Sequence, residues 1–200
     1  MNFSVVSDFE AAIASYYGAP YAVATDCCTH SVELCLRLRE PVGVTCPAHT
    51  YISIPFTFVK LGLRWRFTDQ RWHYYYEIGN TGIIDAAVYF REGGYITDTL
   101  MCLSFQFRKP LSLGRGGAIL CDNYADYVML KKMTYDGRYG EKPWADQRID
   151  TLGYHYYMTP ETAQEGLKKL PDAHLRATKD WSWQDYPDLR QMPVFGVTTD

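Results

Sequence analysis

Three short segments of this chain hold the residue types best suited to chemistry. The first is SFQFRKPLSLGRGGAIL (104–120), where Lys109 sits between two apolar runs. The glycines that follow it let the backbone come close to a ligand. Alone, such a lysine reads as a solvated loop cation. The second segment is IIDAA (83–87), in which Asp85 closes a very apolar run. A turn or capping aspartate is the ordinary reading. In open α/β sheets, however, ligands bind beyond the carboxyl ends of strands, which is where this carboxylate falls. The third is TDCCTHSVEL (25–34), a strand-turn-helix junction with Thr29 and Ser31 at the helix start. Free backbone N–H groups there favour a phosphate, although the turn lacks the glycine usual in phosphate loops and Thr29 would also serve as a plain cap.

The elements around these residues set the fold class. Residues 8–17 read as a short amphipathic helix stopped by Gly18, and 21–25 as an apolar strand. A helix over 31–39, a strand over 42–47, a helix over 50–62 and a strand over 63–69 follow. The run 81–90 contains a strand ending near Asp85. Segments 99–107 and 116–123 bracket the lysine loop as a hairpin. Helices are predicted over 125–137 and over 160–172, the latter with Thr159 as cap and Pro160 at the first position. Strands alternating with helices predict an α/β fold of three layers, a mostly parallel sheet with helices on both faces. Residues 1–172 are expected to form one domain. Residues 173–200, with Trp181, Trp183 and Tyr186, are expected to form an aromatic arm packed on the body or on a partner subunit.

Composition removes several function classes. The 200 residues are 47% hydrophobic with a formal net charge of −3, so nothing points to nucleic acid or an acidic membrane. No apolar run approaches the roughly 18 residues of a membrane span, and the N-terminus lacks a signal-peptide pattern. The six cysteines form no CxxC pair and read as reduced core residues. These features predict a cytoplasmic protein, in host cytoplasm were the source a virus. No metal site is expected, because the five histidines are scattered without a ligand array. A Cys28–His30 nucleophile pair is set aside, since residues two apart on a turn rarely meet productively. A dinucleotide-binding fold is opposed by the lack of a GxGxxG after a strand.

Taken in order, the strand-turn-helix junction, the helix that opens on Thr50-Tyr51, IIDAA, SFQFRKPLSLGRGGAIL and GYHYYMTPETAQEGLKKL (153–170) resemble the DegT/StrS-type aminotransferases. These are fold type I pyridoxal 5′-phosphate (PLP) enzymes that mostly aminate nucleotide-linked keto-sugars. The resemblance implies that Lys109 forms the Schiff base with PLP and that Asp85 pairs with the pyridinium nitrogen. It also implies that Tyr51 stacks on the ring, that Cys28, Thr29 and Ser104 bind the phosphate, and that His155 reaches the phosphate of a neighbouring subunit. A homodimer with shared active sites, an amino-acid donor such as glutamate and a small carbonyl acceptor follow. Elimination, dehydration or decarboxylation on PLP, or a binding or assembly role, are the alternatives. Three positions depart from the family pattern. Val88 stands for a polar residue, Cys28 for a glycine and Tyr157 for an arginine. The small C-terminal domain of the family is also missing from these 200 residues.

Overall fold

The structure is a computed structural model and describes residues 3–140, 142–176 and 179–196. Residues 1, 2, 141, 177, 178 and 197–200 of the expected domain and arm lie outside the described residues. Helix α1 (Ser4–Tyr17) begins four residues before the predicted start. Val6, Phe9, Ile13 and Tyr17 recur at three- and four-residue spacing and bury one face, so packing extends the helix past Asp8. Gly18 ends it in the left-handed conformation (φ 73°), its N–H returning to the carbonyls of Ala14 and Ser15.

Strand β1 (Tyr21–Thr25) leads into α2 (Cys28–Arg39), then β2 (Gly43–Pro47), α3 (Ser53–Lys60) and β3 (Arg64–Thr68). β2 and β3 pair in parallel, as a strand-helix-strand unit requires. Helix α3 is shorter than the predicted 50–62, which leaves Thr50 and Tyr51 ahead of it in irregular backbone. The two-residue strand β4 (Tyr76–Glu77) then turns through Gly79 and Gly82 into β5 (Ile83–Asp85). β6 (Leu100–Ser104) and β7 (Gly117–Cys121) form the predicted hairpin around the lysine loop. Helices α4 (Tyr124–Thr134) and α5 (Pro160–Ala173) complete the fold, α5 capped by Thr159.

The main sheet has the order β1-β7-β6-β5-β4. The α/β class is as predicted, but the strand directions are mixed rather than mostly parallel. β5 and β6 are parallel, while β1–β7, β6–β7 and β4–β5 are antiparallel. Two hairpins cause this, because a short loop can only return the chain antiparallel. Gly79 joins the two sheets: its N–H donates to the Thr45 carbonyl at 2.9 Å.

Helices cover both faces. On one, α1 and α5 bury Phe9, Ile13, Ala163 and Leu170 against Ala24, Met101 and Leu103. A methyl group on Gly166 would meet the Phe9 ring at 2.4 Å, so only glycine lets α5 settle on α1. On the other face, α2, α3 and α4 pack Leu34, Phe58 and Leu130 against Val23, Ile83 and Ile119. Burying Glu10 on α1 is tolerated because its carboxylate accepts the Ala24 N–H at 2.8 Å and Lys131 Nζ at 2.8 and 2.7 Å. The described part of the C-terminal arm runs back over the body. Trp183 donates its N–H to the Trp72 carbonyl, Tyr74 donates to Trp181, and Leu189 donates to Ala48.

Candidate active site

The ends of β5 and β6 and the start of α2 meet at one cavity of about 630 Å³. Asp85 ends β5, and the parallel register sets it opposite Cys102, two residues before Ser104. The loop after Ser104 then carries Lys109 beside the same cavity. From α2 come Cys28 and Thr29, and from the segment before α3 come Thr50 and Tyr51. Six predicted site residues therefore converge: Cys28, Thr29, Tyr51, Asp85, Ser104 and Lys109. His155 does not join them. It is exposed, its Nδ1 lying 3.0 Å from Asp136 Oδ2.

Asp85 is buried, and both its oxygens are engaged. Oδ2 accepts the Tyr76 hydroxyl at 2.7 Å, and Oδ1 accepts the Ala87 N–H at 3.0 Å. Burial pushes its carboxyl above the usual range, against the pull of these hydrogen bonds and of Lys109. Lys109 is half-buried, and burial lowers its pKa, opposed by the fields of Cys28 and Asp85. Among the described residues its Nζ has no hydrogen-bond or ion-pair partner; the nearest ring face is Trp181, 5.6 Å away. An amine with no partner and a weakened hold on its proton is suited to nucleophilic attack on a carbonyl.

The start of α2 corrects the sequence reading of the phosphate segment. The helix begins at Cys28 rather than Ser31, so Cys28 and Thr29 occupy its first turn and Cys27 is the N-cap. Cys28 thus adopts a helical conformation, where its side chain costs nothing that a glycine would save. No side chain caps this N-terminus, and the Thr29 hydroxyl donates instead to Ser53 Oγ at 3.0 Å. The first-turn residues Cys28, Thr29 and His30 line the cavity, and among the described residues no side chain caps this helix start, as an anion site needs. A methyl on Gly117 would come within 2.6 Å of the Cys27–Cys28 peptide, so glycine there lets β7 support the helix start.

Beside this start, Asp26, Cys27 and His30 bring ligand-type atoms within 4.8 Å of one another. Asp26 already spends Oδ1 on His30 Nδ1 and Oδ2 on Arg115, both at 2.7 Å. It is Cys27, not Cys28, that neighbours His30. Sequence reasoning did not single out Tyr76 or Trp72, which line the cavity wall together with Trp181 and Tyr186 of the expected aromatic arm. The aromatic run around 72–76 was the one available signal. Val88 lines the wall without a polar group, and Tyr157 packs on Phe3 and Tyr135 away from it.

PLP needs an amine with no partner, a carboxylate for its ring nitrogen and a donor-rich seat for its phosphate. Lys109, Asp85 and the uncapped N-terminus of α2 supply these in one cavity, so the residues present fit the group.

Comparison with solved structures agrees on the fold. The chain resembles the sugar aminotransferase CalS13 from Micromonospora echinospora with a TM-score of 0.70 at 17% identity, over 86% of this chain and 61% of that one. It resembles 3-amino-5-hydroxybenzoic acid synthase with a TM-score of 0.70 at 20% identity, over 86% of this chain and 56% of that one. DesI, solved in the presence of its TDP-sugar product, matches with a TM-score of 0.67 at 18% identity, over 88% of this chain and 54% of that one. The chain thus spans a little over half the length of these structures. No curated protein matches the chain. A family sequence profile matches residues 2–75 and 91–198, leaving out the interval that holds β4, β5 and Asp85. By that match the chain belongs to the DegT/DnrJ/EryC1/StrS aminotransferase family.

Proposed function

We propose that this protein is a PLP-dependent aminotransferase that moves an amino group from an amino acid, glutamate in the first instance, to the carbonyl of a keto-sugar nucleotide or related compound. The observation that carries this reading is the meeting of Lys109 and Asp85 in one cavity beside the uncapped start of α2. The sugar aminotransferase, and the enzyme solved in the presence of its TDP-sugar product, support the choice of acceptor.

When bound, PLP supplies an electron sink for the carbanion formed at the substrate carbon. Lys109 would hold the cofactor through its amine, and the same amine would take and return the proton at the substrate carbon. Its unpartnered amine and burial-lowered pKa suit both tasks. Asp85 would supply the negative charge for the ring nitrogen. Cys28 and Thr29 offer backbone N–H groups, and Thr29 and Ser104 hydroxyls, to the phosphate. Tyr51, exposed at the cavity lining, would cover the ring. Trp181 and Tyr186 of the arm shield the pocket from water.

The protein acts as a homodimer in which His155 completes the neighbour's phosphate seat. Two features support this. His155 faces solvent away from its own cavity, and an exposed apolar strip (Tyr139, Trp144, Ile149 and Leu152) precedes it. Residue types of this kind favour protein contacts.

Borohydride reduction of the PLP-loaded protein is expected to fix the cofactor on Lys109, read by peptide mass spectrometry, and Lys109→Ala to abolish it. Trapping on Lys60 or Lys131 would refute the assignment. Lys109→Ala and His155→Ala, each inactive alone, are expected to regain activity when mixed and reassembled. An active monomer in sedimentation would refute the shared site.

A further inference from the structure

Asp85 takes its support from a residue that the family match does not reach. β4 and β5 pair antiparallel with Tyr76 directly opposite Asp85. Opposed residues of such a pair project from the same face, so the register alone brings the phenol to the carboxylate. The Tyr76 hydroxyl donates to Asp85 Oδ2 at 2.7 Å. It lies 2.5 Å from Thr50 Oγ1 on its other side. The direction of that second bond is fixed by valence. A phenol has one proton, and an ionised carboxylate can only accept, so Tyr76 gives its proton to Asp85 and Thr50 must donate to Tyr76. The result is a one-way chain, Thr50 to Tyr76 to Asp85, whose polarity matches a negative charge at its end. Every member is buried, and Trp72 packs on the Tyr76 ring at 5.4 Å between centroids. A chain of this kind in a low-dielectric setting is cooperative and holds one arrangement.

Asp85 needs such help. Burial favours its neutral form, and Lys109 makes no direct contact with it among the described residues. Ala87 satisfies Oδ1 through the backbone, so the donor to Oδ2 is the part of the support that a side chain decides. The interval 76–90 that contains both residues is also the interval the family profile leaves out.

We propose that Tyr76, held in turn by Thr50, is the positioning residue of Asp85, keeping its carboxylate ionised and fixed at the cavity wall. The consequence for catalysis rests on Asp85 being the cofactor's charge partner, whereas the support of the carboxylate is a property of the chain alone.

The test is the titration of Asp85 in the full chain, with and without PLP, by NMR of protein labelled with carboxyl-¹³C aspartate. The resonance is assigned by its loss in Asp85→Asn. Tyr76→Phe keeps the ring and removes the donor, and is expected to raise the Asp85 pKa by about one to two units. Thr50→Val, which removes the second link, is expected to raise it by less. In the PLP-loaded protein the pH midpoint of the visible absorbance is expected to move with it. An unmoved Asp85 titration in a folded Tyr76→Phe overturns the proposal. Should that variant fail to fold, an unmoved titration in Thr50→Val overturns it instead. A raised Asp85 titration beside an unshifted absorbance upholds the support by Tyr76 and removes Asp85 from the cofactor's nitrogen, so the two ideas fail separately.

Discussion

Asp85→Asn separates the electronic role of this residue from its role in the fold. The replacement is nearly isosteric, and its neighbours can adapt. The amide oxygen can keep the Ala87 N–H, now donated at 3.0 Å, while the amide N–H₂ faces the Tyr76 hydroxyl. That hydroxyl can turn to donate to Thr50, reversing the chain at a cost of about 1 kcal/mol, typical of one hydrogen bond exchanged for another. Folding and PLP binding are therefore expected to survive. The charge does not survive. Removing one partner of a buried charge pair costs about 3 kcal/mol, and such a loss placed in the barrier is roughly a hundredfold in rate. Lys109 also loses a field that raises its pKa, so its amine is expected to titrate lower still. The assay is single-turnover reaction of the PLP-loaded protein with glutamate, followed by absorbance, alongside the melting temperature. A hundredfold slower reaction in a protein of near-normal Tm is the expected result. Near-normal turnover would refute the reasoning, because a neutral amide cannot keep a pyridine nitrogen protonated.

Two further predictions concern stability. Lys131→Met strands the buried Glu10 carboxylate, which burial already pushes toward its neutral form, and is expected to cost about 3 kcal/mol or more in urea unfolding; adding Glu10→Gln should recover part of the loss, and an unchanged midpoint in the single variant would show the pair to be idle. For His30, burial works against its charge, but the Asp26 and Cys27 partners outweigh it and raise its pKa from 6.5 to about 9. A raised folded pKa means that stability is fully present below 6.5 and is lost as pH climbs to about 9, by about 1 to 2 kcal/mol once solvent screening of the half-buried ring is allowed for. Urea midpoints measured from pH 6 to 10 should fall across that window in the wild type and run flat in His30→Asn, and parallel curves would count against the Asp26–His30 pair.

The lysine hairpin and the Asp85 strand were legible because each is a short apolar run with an abrupt polar end, a pattern that strand burial imposes. Lys109 and Asp85 could thus be placed before any geometry was known. The start of α2 was not legible. The sequence offers Thr29 as the cap, yet Cys27 takes the cap position without a side-chain bond, where a methyl on Gly117 would come within 2.6 Å of the Cys27–Cys28 peptide, a tertiary approach of β7 that no local pattern reports. Strand directions were legible only in part. The β6–β7 hairpin was expected, but periodicity reports which face is buried and is silent on which neighbour a strand pairs with, so β4 beside β5 and β1 beside β7 turned a mostly parallel expectation into a mixed sheet. Tyr76 was the hardest case. It lies in WHYYYEIG (72–79), where three consecutive tyrosines alternate with nothing, and only the register of a two-residue strand singles out one of them.

That register also explains how a site drawn from distant parts of the chain can be held so locally. Asp85 and Tyr76 are nine residues apart and joined by one tight turn, so the loop-closure cost of bringing them together is small. Lys109 is 24 residues beyond Asp85, but β5 and β6 run parallel side by side, and the pairing of Asp85 with Cys102 delivers Ser104 and the lysine loop to the same sheet end. The anion seat at α2 comes from far earlier in sequence, and β7 joins it to the rest through Thr25 opposite Gly117. Two of the three contacts that build the cavity are thus neighbouring strand pairs, and the third is a glycine approach that tolerates no side chain. A sheet end assembled this way keeps its carboxylate, amine and helix start in fixed relation, because each is set by strand pairing or by a close glycine contact rather than by a surface loop.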